Sequence, residues 1–264
     1  MDLNMLAMRS IAFLTCLFLG YLITDNVLQA DGANTASILE FPFYASIEVN
    51  GDFICGATVI DDLYVMSSNS CVSGYDVSSL QVRVGTDKMG HRGQVFMAIA
   101  TFPYVNSGMT PGPPGPTNFS ADIVLIKIAV SFTYDPHVMW LNPNNNGIEE
   151  GQEGVVTSWG SKVRNSPLVS ASVVVLPSAN CSAMYNGTKN ISITEFCIMP
   201  KDSNSQPCLA ELGSPLYYNE QYYGLVTYNP GCSSTNNYPV VVTEVAQFTS
   251  FIITILCDMA AFFP

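Results

Sequence analysis

The chain has 264 residues, a formal net charge of -12 and a sequence pI near 4.3. This length suits one large β domain or two small ones, and the acidic balance argues against nucleic acid or an anionic membrane as a partner, because both require basic patches. Only 11% of the residues are charged, while Val, Ile, Thr and Tyr are abundant between regularly spaced Gly and Pro, a pattern typical of an all-β protein.

The first 30 residues predict a secretory signal peptide. Arg9 precedes an apolar run at residues 11–19, which fades at Thr24 and is too short to span a membrane comfortably. Cleavage is expected between about residues 24 and 30, and an uncleaved signal anchor is the less favoured alternative. We therefore expect a secreted, extracellular protein whose mature chain, residues 31–264, has no membrane span.

The cysteines and glycosylation sequons agree with export. Cys16 leaves with the signal peptide, and seven cysteines remain whose pairing cannot be deduced from spacing alone. No Cys-X-X-Cys or His-Cys cluster suggests a metal site, and we expect neither a metal nor a cofactor. Three of the four sequons fall within residues 180–192, which favours a glycoprotein. The acceptor residues are Asn118, Asn180, Asn186 and Asn190.

Five segments carry motifs in a specific order. They are Phe-Ile-Cys-Gly-Ala-Thr-Val-Ile at 53–60, Tyr-Val-Met-Ser-Ser-Asn-Ser-Cys-Val at 64–72, Phe-Ser-Ala-Asp-Ile-Val-Leu-Ile-Lys-Ile at 119–128, Val-Val-Thr-Ser-Trp-Gly at 155–160 and Cys-Leu-Ala-Glu-Leu-Gly-Ser-Pro-Leu at 208–216. In turn they resemble Cys-Gly-Gly-Ser-Leu-Ile, Val-Leu-Thr-Ala-Ala-His-Cys, Asn-Asp-Ile-Ala-Leu-Ile-Lys-Leu, Val-Ser-Gly-Trp-Gly and Cys-X-Gly-Asp-Ser-Gly-Gly-Pro-Leu of the trypsin/chymotrypsin-like serine proteases. The resemblance runs from about residue 40 to residue 255, nearly the whole mature chain.

This resemblance implies an all-β fold of two six-stranded antiparallel Greek-key β-barrels with a C-terminal α-helix. The first barrel is expected at about 38–130, the second at about 148–246 and the helix at about 244–257. The apolar positions of the helix, which follow helical spacing and should pack on the second barrel, are Phe248, Phe251, Ile252 and Ile255.

The resemblance also implies three disulfides, Cys55–Cys71, Cys181–Cys197 and Cys208–Cys232. Each bridge would constrain the unfolded chain and so stabilise the fold. Cys257 is then left over. It is either a buried free thiol, the more common case, or an intermolecular link that joins two chains in a dimer.

The catalytic triad positions implied by the resemblance are Ser70, Asp122 and Leu212. Ser70 replaces the histidine, and a hydroxyl with no neighbouring base cannot accept a proton near neutral pH. Leu212 replaces the nucleophilic serine, and a leucine cannot form an acyl-enzyme. Asp122 remains, and we expect it to accept hydrogen bonds from backbone amides or from Ser70. His91 and His137 are expected at the surface.

Residues that would shape the substrate site differ as well. Ala210 replaces the glycine whose amide helps to form the oxyanion hole, a backbone geometry that is harder for a residue with a Cβ. Gln206 stands where trypsin-like members place an aspartate at the pocket floor. Along the pocket wall, Tyr228 and Asn229 replace a tryptophan and a glycine, and the asparagine side chain should narrow the pocket mouth.

No zymogen switch is expected. In the active members of the family, a cut after a basic residue frees an Ile or Val amino terminus, which pairs with the aspartate before the nucleophile. Here no Lys or Arg occurs between Arg9 and Arg83, and Ala-Asp-Gly-Ala stands at 30–33 in place of Ile-Val-Gly-Gly. Glu211 replaces that aspartate and is one methylene longer, and a buried ion pair tolerates little misfit.

A Pro/Gly-rich loop spans residues 103–117 and cannot continue a β ladder, because proline lacks the backbone donor. In the family the equivalent loop overhangs the substrate cleft. We favour a tolerated surface insertion, with a recognition arm or a lid as the alternative.

Together these features predict a non-catalytic serine protease homologue, a pseudoprotease that acts by protein binding. It would be a regulator, cofactor or decoy in an extracellular proteolytic cascade, with a protease or a protease inhibitor as its partner. Such homologues are familiar among arthropods, which suggests an arthropod source. One alternative is a glycan- or surface-binding module that uses the Pro/Gly loop. A residual serine endopeptidase using Ser214 or Ser70 is less favoured, because neither has an imidazole nearby.

Overall fold

The computed structural model is built mainly of antiparallel strands, as the composition predicts. It describes residues 34–105, 121–160, 162–202, 206, 208, 210–231 and 238–260. The strands are β1 (Asn34–Thr35), β2 (Tyr44–Val49), β3 (Asp52–Asp61), β4 (Tyr64–Ser67), β5 (Leu80–Val84), β6 (Gln94–Pro103), β7 (Val124–Ile128), β8 (Asn142–Pro143), β9 (Glu153–Ser158), β10 (Val169–Val175), β11 (Glu195–Pro200), β12 (Pro215–Tyr218), β13 (Gln221–Tyr228) and β14 (Val240–Glu244). The helices are α1 (Asn69–Val72), α2 (Ser178–Tyr185) and α3 (Thr249–Ala260), and 3-10 turns lie at Val77–Ser79 and Val245–Phe248.

The first barrel is closed by six strands in the order β2-β3-β4-β7-β6-β5. Strand β5 alternates between buried and half-buried residues, which is the pattern of a strand with one face on a core. Strand β7 is buried along its whole length, which explains its nearly continuous apolar sequence. The closed ring leaves none of these six strands as a free edge.

The second barrel consists of β9, β10, β11, β14, β13 and β12, and the pairing of β9 with both β10 and β12 closes its ring. Two short strands extend the sheet: β1 pairs with β10, and β8 runs parallel to β13. In β10, every second residue from Val169 to Val175 is buried, so its small and β-branched residues alternate across the sheet. The predicted fold of two six-stranded antiparallel barrels and a C-terminal helix is confirmed.

A large buried cluster combines side chains of both barrels with those of α3. It includes Tyr44 and Leu125 from the first barrel and Leu225 from the second. Phe248 and Phe251 contact the ring of Tyr104, which follows β6, at centroid distances of 5.0 and 5.4 Å. The expectation that the helix packs on the second barrel was therefore too narrow, because its apolar face also contacts the first barrel.

Two of the three expected disulfides, Cys55–Cys71 and Cys181–Cys197, are formed. Cys208 is also disulfide-bonded, and its expected partner, Cys232, lies outside the described residues. The expectation of a buried thiol at Cys257 is wrong, because this free cysteine is exposed. It lies one helical turn after the exposed Ile253, on the face of α3 that points away from the buried cluster.

Other expectations concern the surface and the ends of the chain. Asn180, Asn186 and Asn190 are exposed, as acceptor residues must be, whereas Asn118 lies outside the described residues. The same holds for the signal peptide and for residues 106–117 of the Pro/Gly loop. None of the described helices is long and apolar enough to cross a membrane. In the described part of the chain, no three His, Cys, Asp or Glu side chains are arranged to hold a metal ion.

Candidate functional site

The first-barrel half of the site is a hydrogen-bonded group around Asp122. Ser70 lies in α1, directly after β4, and Asp122 lies two residues before β7, which pairs with β4. The Asp122 carboxylate accepts from the Ser70 backbone N–H at 2.6 Å and from the Ser70 hydroxyl at 2.8 Å. The hydrogen bonds expected from the sequence are present, so the retained carboxylate is occupied by serine donors.

Ser68 is a third member of this group that the sequence reasoning missed. Its buried hydroxyl donates to Asp122 Oδ2 at 2.5 Å and lies 2.8 Å from the Ser70 hydroxyl. A serine here, where the resembling motif has an alanine, was the available signal. Two hydroxyls and one amide together satisfy a carboxylate that would otherwise be costly to bury.

Neither histidine takes part in this group. Both His91 and His137 are exposed, and the His137 Nδ1 atom lies 3.4 Å from the Asp135 carboxylate. Asp135 also accepts from the His137 backbone N–H at 2.7 Å. Among the described residues, the carboxylate of the site therefore has hydroxyl and amide partners and no imidazole partner.

The second-barrel half of the site is a loop that docks on the first barrel through Gly213. The Gly56 backbone N–H donates to the Leu212 carbonyl at 2.9 Å, and Gly213 donates to the Val226 carbonyl at 2.8 Å. Gly213 has a φ of +81°, and a Cβ at this position would collide with the Gly56 carbonyl oxygen. The loop therefore requires glycine both for its backbone conformation and for the close approach to β3.

The Leu212 side chain is half-buried and packs against two buried clusters. One contains Val72 and the Cys55–Cys71 pair of the first barrel, and the other contains Val156 and Val226 of the second barrel. Leu212 therefore forms an aliphatic contact that joins the two barrels.

The comparisons with known proteins decide the family. The trypsin family model matches residues 30–252. The chain belongs to the trypsin family. Trypsin beta of Drosophila erecta is 24% identical over 84% of this chain and 86% of its own length. Neutrophil elastase of Mus musculus is 26% identical over 97% of this chain and 93% of its own length.

Solved structures agree on the fold. The mouse brain serine protease neuropsin matches with a TM-score of 0.71 at 19% identity, covering 85% of this chain and 98% of that one. The scabies mite inactivated protease paralogue S-D1 matches with a TM-score of 0.73 at 18% identity, covering 86% of this chain and 97% of that one. At these identities the structural matches establish the trypsin fold alone.

In this member of the trypsin family, Glu211 is held by neutral hydrogen-bond donors. Both carboxylate oxygens lie 3.1 Å from the Trp159 backbone nitrogen, and the Ser214 hydroxyl donates at 3.3 Å. Burial raises the pKa of Glu211 to about 7, although these hydrogen bonds act in the opposite direction. Burial and the nearby Glu211 charge also raise the pKa of Tyr44 well above its ordinary value. Among the described residues, no Lys or Arg forms an ion pair with Glu211.

Asn229 directly follows β13, at a position where the sequence resemblance predicts a wall of the specificity pocket. Its side-chain amide donates to the carbonyl of Cys208 at 2.9 Å and to the carbonyl of Ala210 at 2.7 Å, which links the end of β13 to the opposite loop. Ala210 is buried, Gln206 is half-buried, and Tyr228 is 40% exposed. The Asn229 side chain thus joins the end of β13 to the segment that carries Cys208 and Ala210.

Proposed function

We propose that this member of the trypsin family is a secreted, non-catalytic homologue that acts by binding another extracellular protein. The observation that carries the proposal is the packing of Leu212 against the cores of both barrels, at the position where the family has its nucleophile. An apolar side chain there has no atom that attacks a carbonyl.

Four further observations support the proposal. Asp122 is engaged by Ser68 and Ser70, so it is not free to orient an imidazole. Asn229 crosses the pocket, and Glu211 has neutral partners in place of a new amino terminus. One of the similar structures is of an inactivated protease paralogue by its name, so the fold is compatible with a loss of proteolysis.

Secretion is supported by the disulfides, which form in oxidising compartments, and by the three exposed sequons. Expression in secretory cells should yield protein in the medium that shifts to a lower mass with an endoglycosidase. The exposed Cys257 thiol is available for a disulfide between two chains, which non-reducing electrophoresis would reveal as a doubled mass that is lost in Cys257→Ser. Retention of the protein inside the cells would contradict this part of the proposal.

The absence of catalysis is tested with a serine-directed fluorophosphonate and a panel of peptide substrates, using a trypsin as the positive control. We expect neither labelling nor hydrolysis. The double variant Ser70→His and Leu212→Ser restores two triad residues but leaves Ser68 and Asn229 in place, so it should also remain inactive. Labelling of the wild-type chain would refute the proposal, and cleavage by the double variant would show that the pocket changes have no effect.

The binding role is tested by crosslinking the mature protein in its native fluid and identifying captured proteins by mass spectrometry. A protease or a protease inhibitor among them is the expected result for a regulator, cofactor or decoy in a proteolytic cascade. Capture of nothing above the level of an unrelated glycoprotein control would refute the binding role.

A further inference from the structure

The Lys and Arg side chains of this acidic protein are unevenly distributed. There are nine of them against 21 Asp and Glu, and eight remain once Arg9, outside the described residues, is set aside. Arg83, Lys189 and Lys201 form ion pairs with glutamates. Lys127 is 7% exposed. The other four are exposed and have no ion-pair partner in the part of the chain that the structure describes: Lys88, Arg92, Lys162 and Arg164.

These four cations come from two loops that are packed together. One loop follows β5 and the other precedes β10. The Met89 backbone N–H donates to the Ser166 carbonyl at 3.0 Å, and the Met89 carbonyl accepts from the Asn165 N–H at 2.9 Å. Met89 is buried between the two loops. A Cβ on Gly90 would lie 3.4 Å from Nη1 of Arg164, so the guanidinium rests on the first loop. We call the surface formed by Lys88, His91, Arg92, Lys162 and Arg164 the basic corner.

Side-chain hydrogen bonds from Thr86 and Arg83 hold the backbone of the first loop of the basic corner in place. The Thr86 hydroxyl donates to the His91 carbonyl at 2.8 Å and accepts from the Lys88 N–H at 3.0 Å. The Arg83 Nη1 atom donates to the Arg92 carbonyl at 2.7 Å. Its Nε and Nη2 atoms donate to the two carboxylate oxygens of Glu48 at 2.6 and 2.9 Å. Backbone carbonyls are therefore satisfied within the loop, and the cationic side chains are left in solvent on a preorganised support.

The charge of the basic corner is not cancelled by its own loops. Glu48 is fully buried and is neutralised by Arg83. Asp87 is the single acidic residue within 85–93 and 162–168, so four cations and one carboxylate give these loops a formal charge of +3 with His91 neutral. A positive surface on a chain of net charge -12 is the reverse of what the composition predicts.

An apolar stripe begins beside the basic corner. Val95, Met97 and Ile99 lie on the outer face of β6 and are 45%, 43% and 52% exposed. Val95 is paired with Arg83, the residue that holds the Arg92 carbonyl. Exposed apolar side chains at alternate positions of one strand lie on the same side of the sheet, where they offer apolar area to a partner.

We propose that the basic corner and the apolar stripe together bind an acidic, partly apolar segment of a protein partner. This inference rests on the proposed binding function and names its surface and the chemistry of the partner. Carboxylates of the segment meet the Lys and Arg side chains, and its apolar side chains pack along β6. The stripe favours a protein over a sulfated polysaccharide, because a polysaccharide has no apolar side chains to bury. A second copy of this chain is disfavoured by its own acidic charge.

The test uses the mature chain and a fluorescein-labelled peptide of glutamates with interspersed leucines, with binding followed by fluorescence anisotropy. The matched variants are Arg164→Glu and Lys201→Glu, which make the same charge change inside and outside the basic corner. We expect Arg164→Glu to weaken binding about tenfold and Lys201→Glu less than about twofold, with affinity falling as salt is added. Ile99→Ser should weaken binding about threefold or more, because it removes part of the apolar stripe.

Three outcomes would overturn the inference. The first is no binding of the peptide, and the second is an equal loss of affinity in the two charge variants. The third is that a peptide of glutamate alone, or heparin, binds as tightly as the mixed peptide and that its binding is unaffected by Ile99→Ser. Crosslinking in native fluid with the same variants separates this inference from the proposed function. A partner captured equally by wild type and both charge variants would leave the binding function standing and remove the basic corner from it. No partner with any of them would refute the binding function itself.

Discussion

The two halves of the candidate site satisfy their central side chains in different ways. In the first barrel a charged residue, Asp122, is kept and is satisfied by Ser68 and Ser70. In the second barrel the central side chain is the apolar Leu212, which is packed between two cores. A carboxylate requires hydrogen-bond donors, whereas an apolar side chain requires apolar neighbours.

This difference indicates where stability resides. The first-barrel half relies on three hydrogen bonds to the half-buried Asp122 carboxylate, and the two from the exposed Ser70 contribute modestly because water can replace them. The second-barrel half combines a close backbone contact, apolar packing and a buried carboxyl, and each of these is sensitive to a single substitution. We therefore expect substitutions in the second half to have larger effects on the free energy of unfolding.

Gly213→Ala should have the largest effect. Gly51 has almost the same φ, +82° against +81°, but a Cβ on Gly51 meets nothing within 4 Å, while a Cβ on Gly213 collides with the Gly56 carbonyl. We expect Gly51→Ala to cost about 1 kcal/mol from backbone strain and Gly213→Ala about 3 kcal/mol or more, measured by urea unfolding. Equal costs would mean that the loop can move away from β3.

Leu212→Ala should be next in size. It removes a contact to both clusters, and we expect a loss of about 2 kcal/mol, at the low end for a leucine because the side chain is half-buried. Leu39, which is 57% exposed, provides the control, and Leu39→Ala should cost less than about 0.5 kcal/mol. A similar small loss at Leu212 would refute the role of this side chain as a contact between barrels.

Glu211→Gln should change the pH dependence of stability. The folded-state pKa of Glu211 is raised to about 7, so the folded protein keeps a proton that the unfolded chain releases near pH 4.5. Stability is therefore lost as the pH rises from about 4.5 to about 7. The glutamine variant lacks this loss, and its stability relative to wild type should increase by about 2 kcal/mol between pH 5 and pH 8. This change in stability is smaller than the full pKa shift would give, because the Glu211 side chain is only half-buried and solvent weakens the effect.

Urea unfolding at a series of pH values measures this effect. Glu149→Gln removes an exposed carboxylate from the same barrel region and should leave the pH profile parallel to that of wild type. Parallel profiles for Glu211→Gln and wild type would instead mean that Glu211 titrates as an ordinary exposed carboxyl. The claim that the second-barrel half contains a buried carboxyl would then be wrong.

Contiguous motifs were sufficient to predict the barrels, two of the disulfides and the hydrogen bonds from Ser70 to Asp122, but not the one from Ser68. Features that depend on distant residues were not predictable. The Asn229 amide bonds residues 19 and 21 positions earlier, and the two loops of the basic corner are about 70 residues apart. Cys257 was expected to be buried only because that is the more common state of a free thiol. The helical spacing of Phe248, Ile252 and Ile255 places Cys257 on the opposite face of the helix, which agrees with its exposure.

Asp122→Asn should have the smallest effect and therefore tests the first-barrel half most sharply. An asparagine keeps one acceptor oxygen for the Ser70 N–H, and the hydroxyls of Ser68 and Ser70 can rotate to accept from its amide. We expect a loss of about 1 kcal/mol, against almost none for Asp52→Asn at an exposed position without a side-chain hydrogen bond among the described residues. A loss as large as that of Leu212→Ala would contradict the comparison, because it would mean that the Asp122 carboxylate stabilises the site as strongly as the apolar contact of Leu212 does.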